Sequence, residues 1–220
     1  MEGNKKMERK EEKIEARSFI KPYFDNKSLE DLKKTIIPKW TDTNLNTHLN
    51  LVSCPKQATH IMEIGCGIGR LIKSLNDENT DRFFLGIDTS KGMLYEAEKY
   101  LKDVNVELIL SDGTDVDALQ GMNMDFIYSI ITFQHIPNIN TVKNYLTMAY
   151  NNLKDGGELS FQVLNKEMNK GFLWNYHPLE ELDRHLVSLG FKCIGIELFN
   201  DWAIFHATKL EDICKQSKLL

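Results

Sequence analysis

Four cysteines in 220 residues, at positions 54, 66, 193 and 214, form no Cys-x-x-Cys pair. That scatter supports neither a disulfide framework nor a zinc site, and it fits a reducing compartment. Long apolar runs are missing too. No stretch of eighteen apolar residues occurs, and the charged beginning lacks the apolar centre of a secretion signal, so the sequence reads as having no membrane span and a cytoplasmic setting. Basic residues are outnumbered, 27 Lys and Arg against 32 Asp and Glu, for a net charge of -5. The chain as a whole therefore has no electrostatic reason to bind nucleic acid. His48, His60, His185 and His206 show no HxH or HxxxH spacing, and no metal site is expected from them.

What is present is organised. Residues 1–17 are rich in Lys, Arg and Glu with few apolar anchors, and apolar residues return from Ile14 to Trp40, interrupted by Pro22 and Pro38. Residues 1–40 read as a charged, helical N-terminal extension or lid, residues 41–212 as the main domain, and 213–220 as a tail. Within the domain, short apolar runs alternate with helical periods. Strands are expected over 60–64, 82–87, 104–110, 124–132 and 158–164, with helices over 70–75, 91–101, 116–120 and 142–153 between them. Lys154-Asp155-Gly156-Gly157 is expected to end the last of these helices. Residues 165–177 have no clear period and read as an insertion. Pro178 opens a further helix closed by Gly190, and 191–199 and 202–208 form a terminal hairpin around Asn200-Asp201.

Alternation at this spacing predicts an α/β fold: a Rossmann-like, doubly wound seven-stranded sheet, mostly parallel, with an antiparallel last strand and helices on both faces.

The chemistry sits at the end of the first strand. Gly65, Gly67 and Gly69 follow it directly and open a helix, so the backbone can turn tightly and meet a ligand. The second strand ends in Asp88, nineteen residues after Gly69, where a carboxylate can accept hydrogen bonds from both hydroxyls of a ribose. Dinucleotide sites require G-x-G-x-x-G, but position 70 is Arg70. Glu63 beside the turn would repel a pyrophosphate and attract an ammonium or sulfonium. Charge therefore favours S-adenosylmethionine.

Glu63-Ile64-Gly65-Cys66-Gly67-Ile68-Gly69 resembles motif I (E/D-x-G-x-G-x-G) of the class I methyltransferases. Gly86-Ile87-Asp88-Thr89-Ser90-Lys91-Gly92-Met93-Leu94 resembles their second motif, Ser111-Asp112-Gly113 their third, and 125–136 and 153–159 the fourth strand with its exit and the turn into the fifth. The resemblance, to members of the small-molecule type, implies S-adenosylmethionine as cofactor, held by Glu63, Gly65, Cys66, Gly67, Arg70, Asp88, Thr89, Met93, Asp112, Gly113 and Gln134. It also implies methyl transfer by in-line displacement to an O or N atom of a small-molecule acceptor.

His135, at the carboxyl edge of the fourth strand, is the candidate catalytic residue. Tyr23, Trp174, Tyr176 and His177 are candidate acceptor residues, the last three in the 165–177 insertion, which in related enzymes often forms a lid. Cys66 reads as a small structural residue rather than a nucleophile. Asp112, Asp115 and Asp117 form a small acidic cluster, but the further Asp and Asn of magnesium-dependent relatives have no counterpart. The exit of the fourth strand, Ile131-Thr132-Phe133-Gln134-His135, also lacks the N/D-P-P-Y/F signature of enzymes that methylate the amino groups of bases. The remaining alternatives are a protein or RNA methyltransferase that docks through its charged N-terminus, and a cofactor-binding protein without turnover.

Overall fold

The computed structural model describes residues 50–113, 119–167 and 174–209, apart from the side chains of Cys193 and Ile194. Seven strands form one sheet: β1 (His60–Ile64), β2 (Phe83–Asp88), β3 (Val106–Leu110), β4 (Met124–Ser129), β5 (Leu153–Leu164), β6 (Phe191–Leu198) and β7 (Trp202–Lys209). Their order is β3-β2-β1-β4-β5-β7-β6. The first five pair in parallel, whereas β7 runs antiparallel to both β5 and β6. The expected fold is the observed one.

Among the described residues, four complete helices lie against the sheet: α1 (Arg70–Glu78), α2 (Lys91–Tyr100), α3 (Ile139–Asn152) and α4 (Leu179–Leu189). The two-residue period of the strands decides which side each packs on. Ile61, Phe126 and Tyr128 point to one face, where Leu71, Ile72 and Leu75 of α1 and Leu94 and Ala97 of α2 close over them. Met62, Ile64 and Ile127 point to the other, against Val142, Leu146 and Ala149 of α3 and Leu182 and Leu186 of α4. Strands covered on both faces carry almost no polar residues, which is why they read as continuous apolar runs.

Several boundaries differ from the sequence reading. β4 stops at Ser129 instead of Thr132, because Ile131 has φ 59° and Phe133–His135 coils into one 3-10 turn. α3 begins earlier, at Ile139, where the Asn138 side chain accepts the Asn140 N–H at 3.0 Å. It also ends earlier. Asn152, buried at its last position, donates to the carbonyls of Leu119 and Met148, and Leu153 already pairs with Met124 in the sheet. Gly156, at φ 79°, therefore lies inside β5, where the register with β4 shifts, and not in a helix cap. Pro178 precedes the first turn of α4 as its cap, while Gly190, at φ 104°, closes that helix as expected. Most of the short helix expected over 116–120, the N-terminal extension 1–40 and the tail 213–220 lie outside the described residues. No described helix is long and apolar enough to cross a membrane.

β1 lies between β2 and β4, and the chain runs outward to one side from β1 through β2 to β3 and to the other side from β4 to β5. Such a switch point opens a crevice over the sheet edge. At the opposite edge, Arg82 locks the entry to β2. It is 3% exposed, and its Nε donates to the Ala58 carbonyl at 3.2 Å and its Nη1 to the Leu75 carbonyl at 2.8 Å. Arg82→Met should cost about 2–3 kcal/mol by leaving those carbonyls unpaired in apolar surroundings. The check is a lower urea midpoint at unchanged slope; an unaltered midpoint would show that the two bonds add nothing net.

Candidate functional site

The turn that leaves β1 is built from three glycines in the left-handed region, with φ of 79° at Gly65, 54° at Gly67 and 79° at Gly69. Each is required for a different reason. A Cβ on Gly65 would collide with Thr132 from the exit of β4, and one on Gly69 with Leu101 after α2. At Gly67 no described atom stands within 4 Å of where a Cβ would lie, so this glycine faces open space. The first two make room for the protein itself. The third leaves bare backbone facing the cleft.

Around that opening runs a cleft lined by Glu63, Gly67, Arg70, Met93, Ile131 and Thr132, with Gly65, Cys66, Ile68, Leu71 and Ile130 completing its walls. Six of the eleven predicted cofactor residues are thus gathered directly: Glu63, Gly65, Cys66, Gly67, Arg70 and Met93. Asp88, at the end of β2, accepts the Gly67 N–H at 2.8 Å through Oδ2 and the Ser90 N–H at 2.9 Å through Oδ1. It pins the glycine turn to the neighbouring strand. Ser90 caps α2 by accepting the Met93 N–H, which seats Met93 against the cleft.

Thr89 and Asp112 are exposed. Gly113 is buried at φ 80°, and a Cβ there would lie 2.6 Å from the Tyr145 ring. Gln134 is fully buried behind the exit turn of β4. Asp115, Asp117 and Tyr23 fall outside the described residues. Among the described residues no group of three His, Cys, Asp or Glu side chains is arranged to hold a metal ion.

Glu63 is the most unusual group in the cleft. It is 3% exposed, and its Oε2 accepts the hydroxyl of Tyr128 at 2.9 Å. The two are register partners across β1 and β4 on the same face, so sheet geometry brings them together. Burial pushes the carboxyl from 4.5 up to about 8. The Tyr128 hydrogen bond opposes this, the Asp88 charge adds to it, and Arg70 works against it. The Tyr128 hydroxyl is itself pushed well above its ordinary value by burial and by the acid beside it. Cys66 is a buried thiol whose burial likewise raises it, which fits a packing residue and not a nucleophile.

The segment before α4 grips the exit of β4. Asn175 donates twice to the Gln134 carbonyl, from its backbone at 2.7 Å and from Nδ2 at 3.0 Å, and His177 Nε2 lies 3.2 Å from the Phe133 carbonyl. His177 is 2% exposed. The His135 ring meets Trp174 edge-on at 5.9 Å, and Trp174 packs on Trp202 of β7 at 5.2 Å. Tyr176 stands 38% exposed at the same end of the sheet.

Sequence reasoning did not assign roles to Tyr128, Ile131, Thr132, Gln162, Asn175 or Trp202. Tyr128 alone left a signal, a phenol in an otherwise apolar central strand that needs a partner for its hydroxyl.

An acid raised above its ordinary value supports folding while protonated. The contribution of Glu63 is therefore full below pH 4.5 and is lost as pH rises through about 8. Glu63→Gln keeps the shape and removes the ionisation. It should leave the melting temperature nearly unchanged at pH 4 and raise it progressively as pH rises to 8 and above. Parallel curves for the two proteins between those values would show that burial does not shift this carboxyl.

Residues 61–157 match the family model described as "Methyltransferase domain". Among curated proteins the chain is 31% identical over 119 residues to a malonyl-[acyl-carrier protein] O-methyltransferase of Acetivibrio thermocellus, covering 54% of this chain and 40% of that one. It is 28% identical over 159 residues to a tRNA (guanine-N(7)-)-methyltransferase of Streptococcus pneumoniae, 68% of each chain. The chain thus spans less than half the length of the first of these relatives. Among solved structures, phosphoethanolamine N-methyltransferase 2 of Haemonchus contortus, in complex with S-adenosyl-L-methionine, superposes with a TM-score of 0.62 at 18% identity over 84% of this chain and 60% of that one. The glycine turn and the strand order agree with that family match: the segment over residues 61–157 is a methyltransferase domain.

Proposed function

We propose that the chain transfers a methyl group from S-adenosylmethionine to an O or N atom of a small-molecule acceptor. The observation that carries this reading is the pairing of an open Gly67 with two acidic groups, Glu63 lining the cleft and Asp88 bonded to the Gly67 N–H. The opening accepts a ligand against bare backbone. Asp88 is placed to take ribose hydroxyls, and Glu63 meets a cationic group. Arg70 and Met93, both lining the cleft, suit a carboxylate and a planar base respectively. S-adenosylmethionine, when bound, brings an already activated methyl on a sulfonium, so the protein's share is position, orientation and exclusion of water.

His135 is the residue proposed to remove a proton where the acceptor is a hydroxyl. Its ring is steadied edge-on against Trp174, and the turn that carries it is held by Asn175 and His177. The aromatic surface of Trp174 and Trp202, with Tyr176 beside it, supports an acceptor with an apolar or planar body.

Incubation with methyl-labelled S-adenosylmethionine and fractionated cell metabolites tests the reading. Label should appear in a dialysable product with release of S-adenosylhomocysteine. His135→Ala should lower kcat by about 100-fold or more for a hydroxyl acceptor while cofactor affinity stays unchanged; unaltered turnover would remove His135 from that role. Because Glu63 is pushed up to about 8, a cationic ligand should drive a proton off on binding at pH 7. Calorimetry in buffers of different ionisation heat reads that release directly.

A second reading has one observation in its favour, the alignment of the tRNA methyltransferase over 68% of each chain. On that reading label stays in the macromolecular fraction, and removal of residues 1–17 abolishes transfer.

A further inference from the structure

Ile131 is a β-branched residue at φ 59°, in a backbone region such side chains rarely occupy, and it lines the cofactor cleft. It does not hold that conformation alone. Its N–H donates at 2.9 Å to Oε1 of Gln162, a residue of β5 that is 3% exposed and absent from the motif-bearing turns. The last register pair between β4 and β5 is Ser129 with Phe161. Gln162 is therefore the first β5 residue beyond the ladder, and its side chain extends the pairing by one bond as β4 turns away. The N–H of Ile131 can only donate, which fixes the amide with its oxygen toward it.

The consequence reaches the glycine turn. Thr132, next in the chain, fills the space that a Cβ on Gly65 would need, and its Oγ1 bonds the Ile130 carbonyl at 3.2 Å. If Ile131 relaxed to an ordinary extended or helical backbone, Thr132 would leave that position, and the wall formed by Ile130, Ile131 and Thr132 would no longer face Gly67 and Met93.

We infer that Gln162 is a positioning residue for the cofactor cleft, acting by holding Ile131 in its left-handed conformation and so keeping the exit of β4 packed against Gly65. The inference rests on the cofactor reading above.

A double-mutant cycle tests it, with S-adenosylmethionine affinity measured by calorimetry below the melting temperature of every variant. Gln162→Leu, which keeps the bulk and removes the acceptor, should weaken binding about tenfold, the size of one lost hydrogen bond. Gln162→Glu retains an acceptor oxygen and should stay near the native value. Ile131→Gly takes the left-handed conformation without help. In that background Gln162→Leu should cost less than about threefold, because the two residues act on one conformation. Gln162→Asn, which withdraws the acceptor by one methylene, should follow the same pattern and serves if the leucine variant does not fold. Equal losses in both backgrounds, or a lowered melting temperature with unaltered affinity, would overturn the role of Gln162. A native chain that gives no heat with S-adenosylmethionine would instead overturn the cofactor reading, and this inference with it.

Discussion

The turn after β1 is held from two sides, and everything at the carboxyl edge depends on that. Asp88 from β2 grips the Gly67 N–H, while Thr132 from the exit of β4 occupies the space left by the missing side chain of Gly65. A polar bond on one flank and a steric fit on the other fix a segment that would otherwise be among the most mobile in the chain, since glycine-rich backbone loses the most freedom on ordering. The fold serves this arrangement by placing β1 between β2 and β4, so that both neighbours deliver their ends to the same spot.

Glu63 adds an electrostatic layer to that geometry. On sequence alone its carboxylate is a standing negative charge that welcomes a cation. In the folded chain the same group is buried beside Tyr128 and tends to keep its proton near neutrality. Attraction is then conditional, with the charge developing when a cationic partner arrives and stays out of water. That is less costly to the empty protein than a permanently buried anion.

Much of this was legible in the sequence because it is local. The glycine spacing, the acid at the end of the second strand, the alternation of strands and helices and the terminal hairpin each follow from a few adjacent residues. What escaped depends on contacts across the sheet. Nothing next to Ile131 says that it will adopt φ 59°, because the bond that supports it comes from Gln162, thirty-one residues later. The pairing of Glu63 with Tyr128 needs the register of β1 against β4. The contact of His177 with the Phe133 carbonyl likewise spans forty-four residues and has no local signal. The misplaced start of β5 has the same origin. A Gly-Gly pair ends many helices, and only the partner strand reveals that here it lies within an extended one.

Cys66 carries a consequence of its own. On the proposed reading the cleft that Cys66 lines receives an alkylating sulfonium, a reagent able to modify a soft sulfur nucleophile, and the reactive form of cysteine is the thiolate. Burial and the acids on either side keep this sulfur in its neutral form. The site can therefore hold a small, polarizable residue in a tight turn without becoming the target of its own methyl donor.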